Sequence, residues 1–274
     1  MKKTGLLFIL IALISCTNAV QQDPDVQSAQ ALAERVLDRQ ARHFRFEKLQ
    51  DVEGDVFELS SKGGEIIIKG TNANSMAVGL NHYLRYYCNA VYSWFDYEPM
   101  TMPKRLPKVE GTIRNSARVK DRFFLNYCTY GYTMPWWKWD EWEHFIDWMA
   151  LNGVNMALAI TGQESIWYQI WTEMGLSDEE VRAYFCGPAH LPWHRMINLD
   201  RWNGPLPMAW LDGQEALQKQ IVARERELGI RPILPAFSGH VPAELARIYP
   251  DAPIKELKPW ELSETEREEK YEKG

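Results

Sequence analysis

The chain has 274 residues and a formal net charge of −6, with 46% hydrophobic and 12% aromatic residues. This acidic balance gives no electrostatic basis for a nucleic-acid partner, while the apolar fraction is sufficient for one large domain or two smaller ones. The four cysteines form no CxxC pair and no cysteine–histidine cluster at zinc spacing, so the sequence predicts no structural metal and no cofactor.

Residues 1–19 have the pattern of an export signal. The chain starts with Met1-Lys2-Lys3 and continues with an aliphatic run, Leu6 to Ile14, that is too short to span a bilayer. The run ends in Leu13-Ile14-Ser15-Cys16, which resembles a bacterial lipobox. This pattern predicts lipidation of Cys16 and an exported protein, in the periplasm or at the outer membrane, that meets a membrane only through that anchor. Cleavage after Ala19 and plain secretion is the alternative.

Residues 20–110 are predicted to form a small α/β domain. Apolar residues at helical spacing predict amphipathic helices over Val26 to Phe46 and Ser75 to Tyr87. Strand-like runs lie at Val56 to Leu59, at Glu65 to Lys69 and at Val91 to Phe95. Two prolines between Met102 and Pro107 mark the boundary that follows.

Residues 111–254 alternate between strand and helix patterns. Strands are predicted at Phe123 to Thr129, Val154 to Ile160 and Pro232 to Phe237, and helices at Asp140 to Asn152, Glu164 to Met174 and Gly213 to Leu228. This alternation predicts a parallel sheet with right-handed crossovers. The fold class is therefore α/β: a small N-terminal α/β domain followed by the first three strand–helix units of an incomplete (β/α)8 TIM barrel, which needs eight strands. Residues 255–274 form a charged tail without a strand pattern.

An incomplete barrel has consequences for folding. Three strands leave an open sheet edge and an uncovered apolar face. The N-terminal domain is therefore expected to fold by itself, and the barrel segment is not.

Polar side chains follow the first two barrel strands, where TIM-barrel active sites are built. Asn126 and Cys128 end the first strand, and alternation along it places both on one side. A hydrogen-bonded core Asn and a buried Cys are the alternative. Gln163 and Glu164 follow the second strand. Since a glycosidase needs two carboxylates and no second one stands at a strand end, Glu164 is interpreted as a pocket residue at a helix N-terminus.

Two further positions complete the predicted site. His240 follows the third strand and can donate to a ligand hydroxyl or cap a helix starting near Pro242. Trp202 lies in a loop rich in Gly and Pro, where its ring can serve as a platform for a ligand. There is no GxSxG, P-loop, GxGxxG or HExxH motif, which leaves serine hydrolase, NTPase, dehydrogenase and zincin functions without support.

At these positions the chain resembles the α-N-acetylglucosaminidases of glycoside hydrolase family 89. The matching stretches run in order over about 120 residues of the sequence. They are Leu125-Asn126-Tyr127-Cys128-Thr129, Trp136-Trp137-Lys138-Trp139-Asp140, Ile146 to Asn155, Thr161-Gly162-Gln163-Glu164, Cys186-Gly187-Pro188-Ala189, Trp202 to Pro207 and Leu234 to Pro242. Residues 20–110 resemble the N-terminal domain of the family more loosely.

The resemblance implies retaining hydrolysis of terminal α-linked N-acetylglucosamine by two glutamates. In the family these glutamates lie on later barrel strands, the first in an Asn-Glu pair. No such pair occurs beyond Gly239, so no catalytic residue is assigned. The resemblance assigns part of the sugar pocket to Asn126, Cys128, Gln163, Glu164, Trp202 and His240.

The chain is therefore expected to be the N-terminal portion of an exo-acting enzyme, interrupted before its catalytic glutamates, whose partner is a glycan with terminal N-acetylglucosamine. Two alternatives stay open. One is a non-catalytic glycan-binding lipoprotein. The other is a family member that acts on a different α-linked amino sugar.

Overall fold

The computed structural model describes residues 22–237 and 239–254. The predicted signal with Cys16 and the charged tail lie outside them. The N-terminal region contains, in chain order, α1 (Pro24–Leu37), a 3-10 helix (Asp38–His43), β1 (Phe44–Lys48), β2 (Val56–Lys62), β3 (Glu65–Gly70), α2 (Ala73–Tyr87) and β4 (Ile113–Ser116).

The N-terminal strands form one four-stranded sheet in the order β1-β3-β2-β4. β1 runs parallel to β3, and β2 is antiparallel to both of its neighbours. The predicted strands at Val56 and Glu65 and the helix ending at Tyr87 are confirmed. β4 lies beyond the boundary predicted at residue 110, and it continues the N-terminal sheet through its pairing with β2.

Two predictions for this region are wrong. The helix predicted from Val26 to Phe46 ends earlier, because Asp38 adopts a left-handed backbone with φ 47° and the chain then passes into β1 at Phe44. The strand predicted at Val91 to Phe95 is absent. There the described chain forms a loop between α2 and β4.

The second region follows the predicted strand–helix alternation. Its elements are β5 (Phe123–Phe124), α3 (Thr129–Tyr132), α4 (Trp139–Leu151), β6 (Met156–Leu158), α5 (Gln163–Glu173), α6 (Asp178–Tyr184), a 3-10 helix (Pro188–His190), α7 (Leu191–Arg195), α8 (Met208–Glu227), β7 (Arg231–Ile233) and α9 (Leu245–Ile248). The three strands are parallel, in the order β5-β6-β7. This confirms the partial barrel. Among the described helices, none combines the length and apolar character that a bilayer span requires.

The hydrophobic core does not divide at the predicted domain boundary. A single cluster of buried side chains extends from Val26 on α1 to Ile230 before β7. Asparagines of α2 reinforce the junction, since Asn81 Nδ2 donates to the carbonyl of Leu151 and Asn74 Nδ2 to that of Val154, each at 2.8 Å. This shared core argues against an N-terminal domain that folds by itself.

Candidate functional site

The first predicted strand stops before the site residues that it was expected to carry. Leu125 adopts a left-handed backbone with φ 77°, so β5 ends at Phe124. Asn126 therefore lies in a turn, and the alternation argument for its side chain is wrong. Its Oδ1 accepts hydrogen bonds from the backbone N and the Oγ1 of Thr129, at 3.2 and 3.1 Å, at the start of α3. Cys128 is half-buried in the same turn.

Helix α3 packs this turn against the segment Pro188–Arg195. A Cβ atom at Gly131 would come within 2.6 Å of the Trp193 ring and 3.0 Å of the carbonyl oxygen of Ala189. Only glycine allows this approach. The turn with Asn126 and Cys128 is thereby fixed against the start of α7.

Glu164 is held by an ion pair that the sequence did not reveal. Arg195 Nε donates to Glu164 Oε1 at 2.6 Å, and Arg195 Nη2 donates to Oε2 at 2.8 Å. Both side chains are buried, with 1% of Glu164 exposed. As expected, Glu164 lies in the first turn of a helix, α5. Because both carboxylate oxygens are engaged, Glu164 is poorly placed to protonate a leaving group.

His194, which precedes Arg195 on α7, packs against a second cluster of buried hydrophobic side chains that includes Trp167 and Tyr184. Its ring lies 4.8 Å from that of Tyr184 and 5.6 Å from that of Trp167. Burial, aided by His240, lowers the pKa of His194 to about 3, so the imidazole is neutral. Helix α7 thus has an apolar side at His194 and a charged side at Arg195.

His240 reaches the same helix from the loop after β7. Its ring lies 5.1 Å from that of His194 and 5.3 Å from that of Tyr184. Its pKa is lowered, chiefly by burial. The alternative role as a helix cap does not hold, because the N-cap residue of α9 is Glu244.

The Trp202 loop is fixed through its backbone, while the ring meets that of His190 edge-on at 6.4 Å between centroids and stays largely exposed. The backbone N of Gly187 donates to the carbonyl of Trp202 at 2.7 Å, and Arg201 Nη2 donates to Glu244 at 2.9 Å. A Cβ atom at Gly187 would lie 2.4 Å from the carbonyl oxygen of Asn203, so the two segments meet closely. The Trp202 side chain is 56% exposed. This arrangement suits a ring that serves as a stacking platform.

The structure thus places Glu164, Trp202 and His240 against residues 187–195, and α3 links the turn with Asn126 and Cys128 to the same segment. Gln163 faces a different space. It lines an apolar cavity of about 760 Å³ between α5, α8 and the loop after β7, and its buried Oε1 has no hydrogen-bond partner within residues 22–237 and 239–254. Within the described chain, no group of three or more His, Cys, Asp or Glu side chains is placed to hold a metal ion.

Comparison with known proteins shows which family the chain belongs to. The profile described as the α-N-acetylglucosaminidase (NAGLU) TIM-barrel domain matches residues 122–272, and that of the N-terminal domain matches residues 27–108. The chain belongs to the α-N-acetylglucosaminidase family. Over 207 residues it is 39% identical to human α-N-acetylglucosaminidase, a match that covers 75% of this chain and 28% of the human protein. Its homologues are glycoside hydrolases.

Solved structures of the family have the same fold. A family 89 glycoside hydrolase from Clostridium perfringens, in complex with 2-acetamido-1,2-dideoxynojirimycin, is 37% identical and superposes with a TM-score of 0.77. A variant of the Clostridium perfringens enzyme with two glutamates replaced by glutamine was solved in complex with its substrate GlcNAc-α-1,4-galactose, and it superposes with a TM-score of 0.79. Each match covers 83% of this chain and 26% of the bacterial chain. The chain therefore spans about a quarter of these relatives.

Sequence reasoning missed the residues that organise the site. Arg195 and His194 lie in a stretch that was interpreted as irregular, although Pro192 stands near the start of α7, where proline suits a helix. No local pattern indicates that Arg195 faces a glutamate 31 positions earlier. That pairing depends on how α5 and α7 pack.

Proposed function

We propose that the chain is the N-terminal portion of an exo-acting enzyme that hydrolyses terminal α-linked N-acetylglucosamine from glycans. The observation that carries this proposal is the placement of Glu164, Trp202 and His240 against residues 187–195, with the turn of Asn126 and Cys128 linked to them through α3. The chain superposes on an enzyme solved with GlcNAc-α-1,4-galactose. In TIM-barrel enzymes this edge of the sheet holds the active site.

The individual side chains suit a sugar. The exposed Trp202 ring offers an apolar face for the C–H groups of a pyranose. Asn126 accepts from Thr129 with its oxygen, which leaves its Nδ2 to donate to a sugar oxygen. Glu164 holds Arg195 in place, so we assign it a positioning role in the pocket.

Acid–base chemistry requires groups of another kind. Retaining glycosidases use two carboxyl groups about 5–5.5 Å apart, one of which must give up a proton. Glu164 is buried and bonded to Arg195 through both oxygens. We therefore infer that residues 22–254 supply binding and positioning groups, and that the catalytic glutamates are not among them.

The full chain is expected to bind 2-acetamido-1,2-dideoxynojirimycin. Calorimetry on Trp202→Ala should show an affinity about 3- to 10-fold lower, as expected for the loss of an aromatic contact. Tyr86→Ala is the matched control, because Tyr86 is 72% exposed on α2, away from α7. The proposed pocket would be contradicted if the chain does not bind the iminosugar, or if both variants lose affinity equally.

Turnover is measured on the same preparation with an aryl α-N-acetylglucosaminide. Hydrolysis is expected at the uncatalysed rate in buffer, since residues that only position the substrate cannot replace a general acid and a nucleophile. Hydrolysis that Glu164→Gln abolishes would instead identify Glu164 as the acid.

We also propose that the protein is exported and anchored through Cys16, as the sequence Leu13-Ile14-Ser15-Cys16 predicts. Two or three acyl chains are enough for stable anchoring, whereas one is marginal. Mass spectrometry of the mature chain should find a diacylated or triacylated Cys16 in the membrane fraction. A soluble chain that begins at Val20 would refute the anchor.

A further inference from the structure

A polar cleft of about 700 Å³ lies between the end of α1, the loop 88–102 and α4. Its lining includes Asp38, Gln40, Asn89, Tyr97 and His144. None of the six predicted pocket residues contributes to it. The cleft is therefore distinct from the proposed pocket around α7.

Two aromatic rings in contact, those of Tyr97 and His144, line the cleft. Tyr97 lies over His144, with ring centroids 4.5 Å apart and planes inclined by 30°. His144 Nε2 donates to the carbonyl of Ser93 at 2.7 Å, so its Nδ1 accepts from the Tyr92 hydroxyl at 2.6 Å. With both ring nitrogens engaged, the imidazole holds Tyr97 in one orientation.

Tyr97 also remains accessible. Its side chain is 57% exposed although one face packs on His144. A tyrosine that serves only the core would bury most of its ring. The ring is pre-oriented and still open, which is the condition for stacking against a flat apolar face of a ligand.

The rim of the cleft carries hydrogen-bonding groups without a free cation. Within the described chain, no ion pair involves the carboxylates of Asp38, Asp96 or Glu98, and Asp96 accepts only from the backbone of its own loop. The basic residue of the lining, Arg35, is bonded to Asp147. The rim therefore offers carboxylate and amide groups to hydroxyls and repels anions.

We propose that this cleft is a binding site for a neutral saccharide residue. The Tyr97 ring covers one apolar face of the pyranose, and Asp38, Gln40 and Asn89 bond its hydroxyls. The site is not catalytic. It holds a glycan on the junction between the two regions, and it does not depend on the hydrolysis proposed above.

The test uses the full chain and two oligosaccharides that differ in charge. N,N′,N″-triacetylchitotriose is neutral, whereas a hyaluronan tetrasaccharide carries carboxylates. All measurements are made in a Trp202→Ala background, so that the Trp202 ring adds nothing to the signal. Calorimetry should show millimolar or tighter binding of the chitotriose and at least about fivefold weaker binding of the hyaluronan fragment, because like charges repel at this rim.

Matched variants locate the contact. Adding Tyr97→Ala should weaken chitotriose binding at least about fivefold. Adding Phe95→Ala should leave it unchanged, because Phe95 is 71% exposed in the same loop but does not line the cleft. Circular dichroism verifies that both variants fold.

Three results would overturn the cleft as a neutral-sugar site: no chitotriose binding, equal affinity for both oligosaccharides, or equal effects of the two loop variants. Each leaves the proposed pocket untouched, because that pocket is tested by iminosugar binding to the chain with Trp202 intact.

Discussion

Glu225→Gln is expected to remove most of the loss of stability that the wild type should show as the pH rises from about 6.5 to 8. Glu225 is completely buried on α8, and among the described residues neither of its carboxylate oxygens has a hydrogen-bond partner. Burial raises the pKa of this carboxyl from 4.5 to about 8. The folded protein therefore prefers the protonated form.

The sign follows from linkage between protonation and folding. Below about pH 4.5 both the folded and unfolded chains are protonated at Glu225, and the group imposes no penalty. As the pH rises toward 8, the unfolded chain ionises freely while the folded chain must stay protonated. The accumulated loss is about 3 kcal/mol at pH 7 and about 5 kcal/mol above pH 8, at 1.36 kcal/mol per pH unit.

Urea denaturation at several pH values measures this effect. Glutamine also buries a polar group, but its cost does not change with pH, so the slope is the readout. Glu215→Gln on the same helix is the control, because bonds from Lys219 and Ser165 lower the pKa of Glu215. It should keep the wild-type slope in this range. Parallel pH profiles for wild type and Glu225→Gln would refute the neutral, buried carboxyl.

Glu225 shows a feature that the sequence does not predict, although the helix that carries it is predicted. Leu217, Ile221 and Glu225 follow one another at i, i+4 spacing, and all three are buried. This stripe predicts the buried face of α8 correctly. A glutamate on such a stripe normally faces solvent at its edge, and only the packing of α8 shows that this one does not.

The sequence predicts candidate residues for the site, but it does not indicate how they are arranged. Family motifs locate Asn126 and Trp202, yet β5 ends at Phe124 because of the backbone conformation of Leu125. Leucine rarely adopts a positive φ, so no sequence pattern indicates this stop. The ion pair between Glu164 and Arg195 likewise depends on tertiary packing.

The contacts that join the two regions could not be predicted for a related reason. Two prolines between Met102 and Pro107 indicate a linker, but Asn74, Asn81 and Arg35 join the regions from the other side. Such contacts connect residues about 70 to 112 positions apart. Local composition does not indicate contacts between residues so far apart in the sequence.

Arg35→Met is expected to destabilise both regions together, by about 3–5 kcal/mol, the usual effect of removing one partner of a buried ion pair. Arg35 Nε and Nη2 donate to the two carboxylate oxygens of Asp147 at 2.7 Å each. Asp147 on α4 is 1% exposed. Without Arg35, this carboxylate stays buried in the shared core with its main partner gone.

The effect should grow with pH. Burial raises the pKa of Asp147, and the bonds from Arg35 are the main opposing cause. Removing them leaves a carboxyl whose folded pKa is raised further, so stability is lost as the pH rises through that value. Denaturation at pH 5 should therefore show a smaller difference from the wild type than denaturation at pH 8.

Arg114→Met provides the matched control for this variant. Arg114 on β4 pairs with Glu58 on β2, but half of its side chain is exposed, so its loss should cost no more than about 1 kcal/mol. Unfolding is followed by hydrogen exchange of the β2 and β3 amides for the first region and by tryptophan fluorescence for the second. Because one core spans both regions, the two probes should report one transition that Arg35→Met shifts as a whole. If the β2 and β3 amides stay protected after the fluorescence transition is complete, the N-terminal region folds by itself and the shared core is not cooperative.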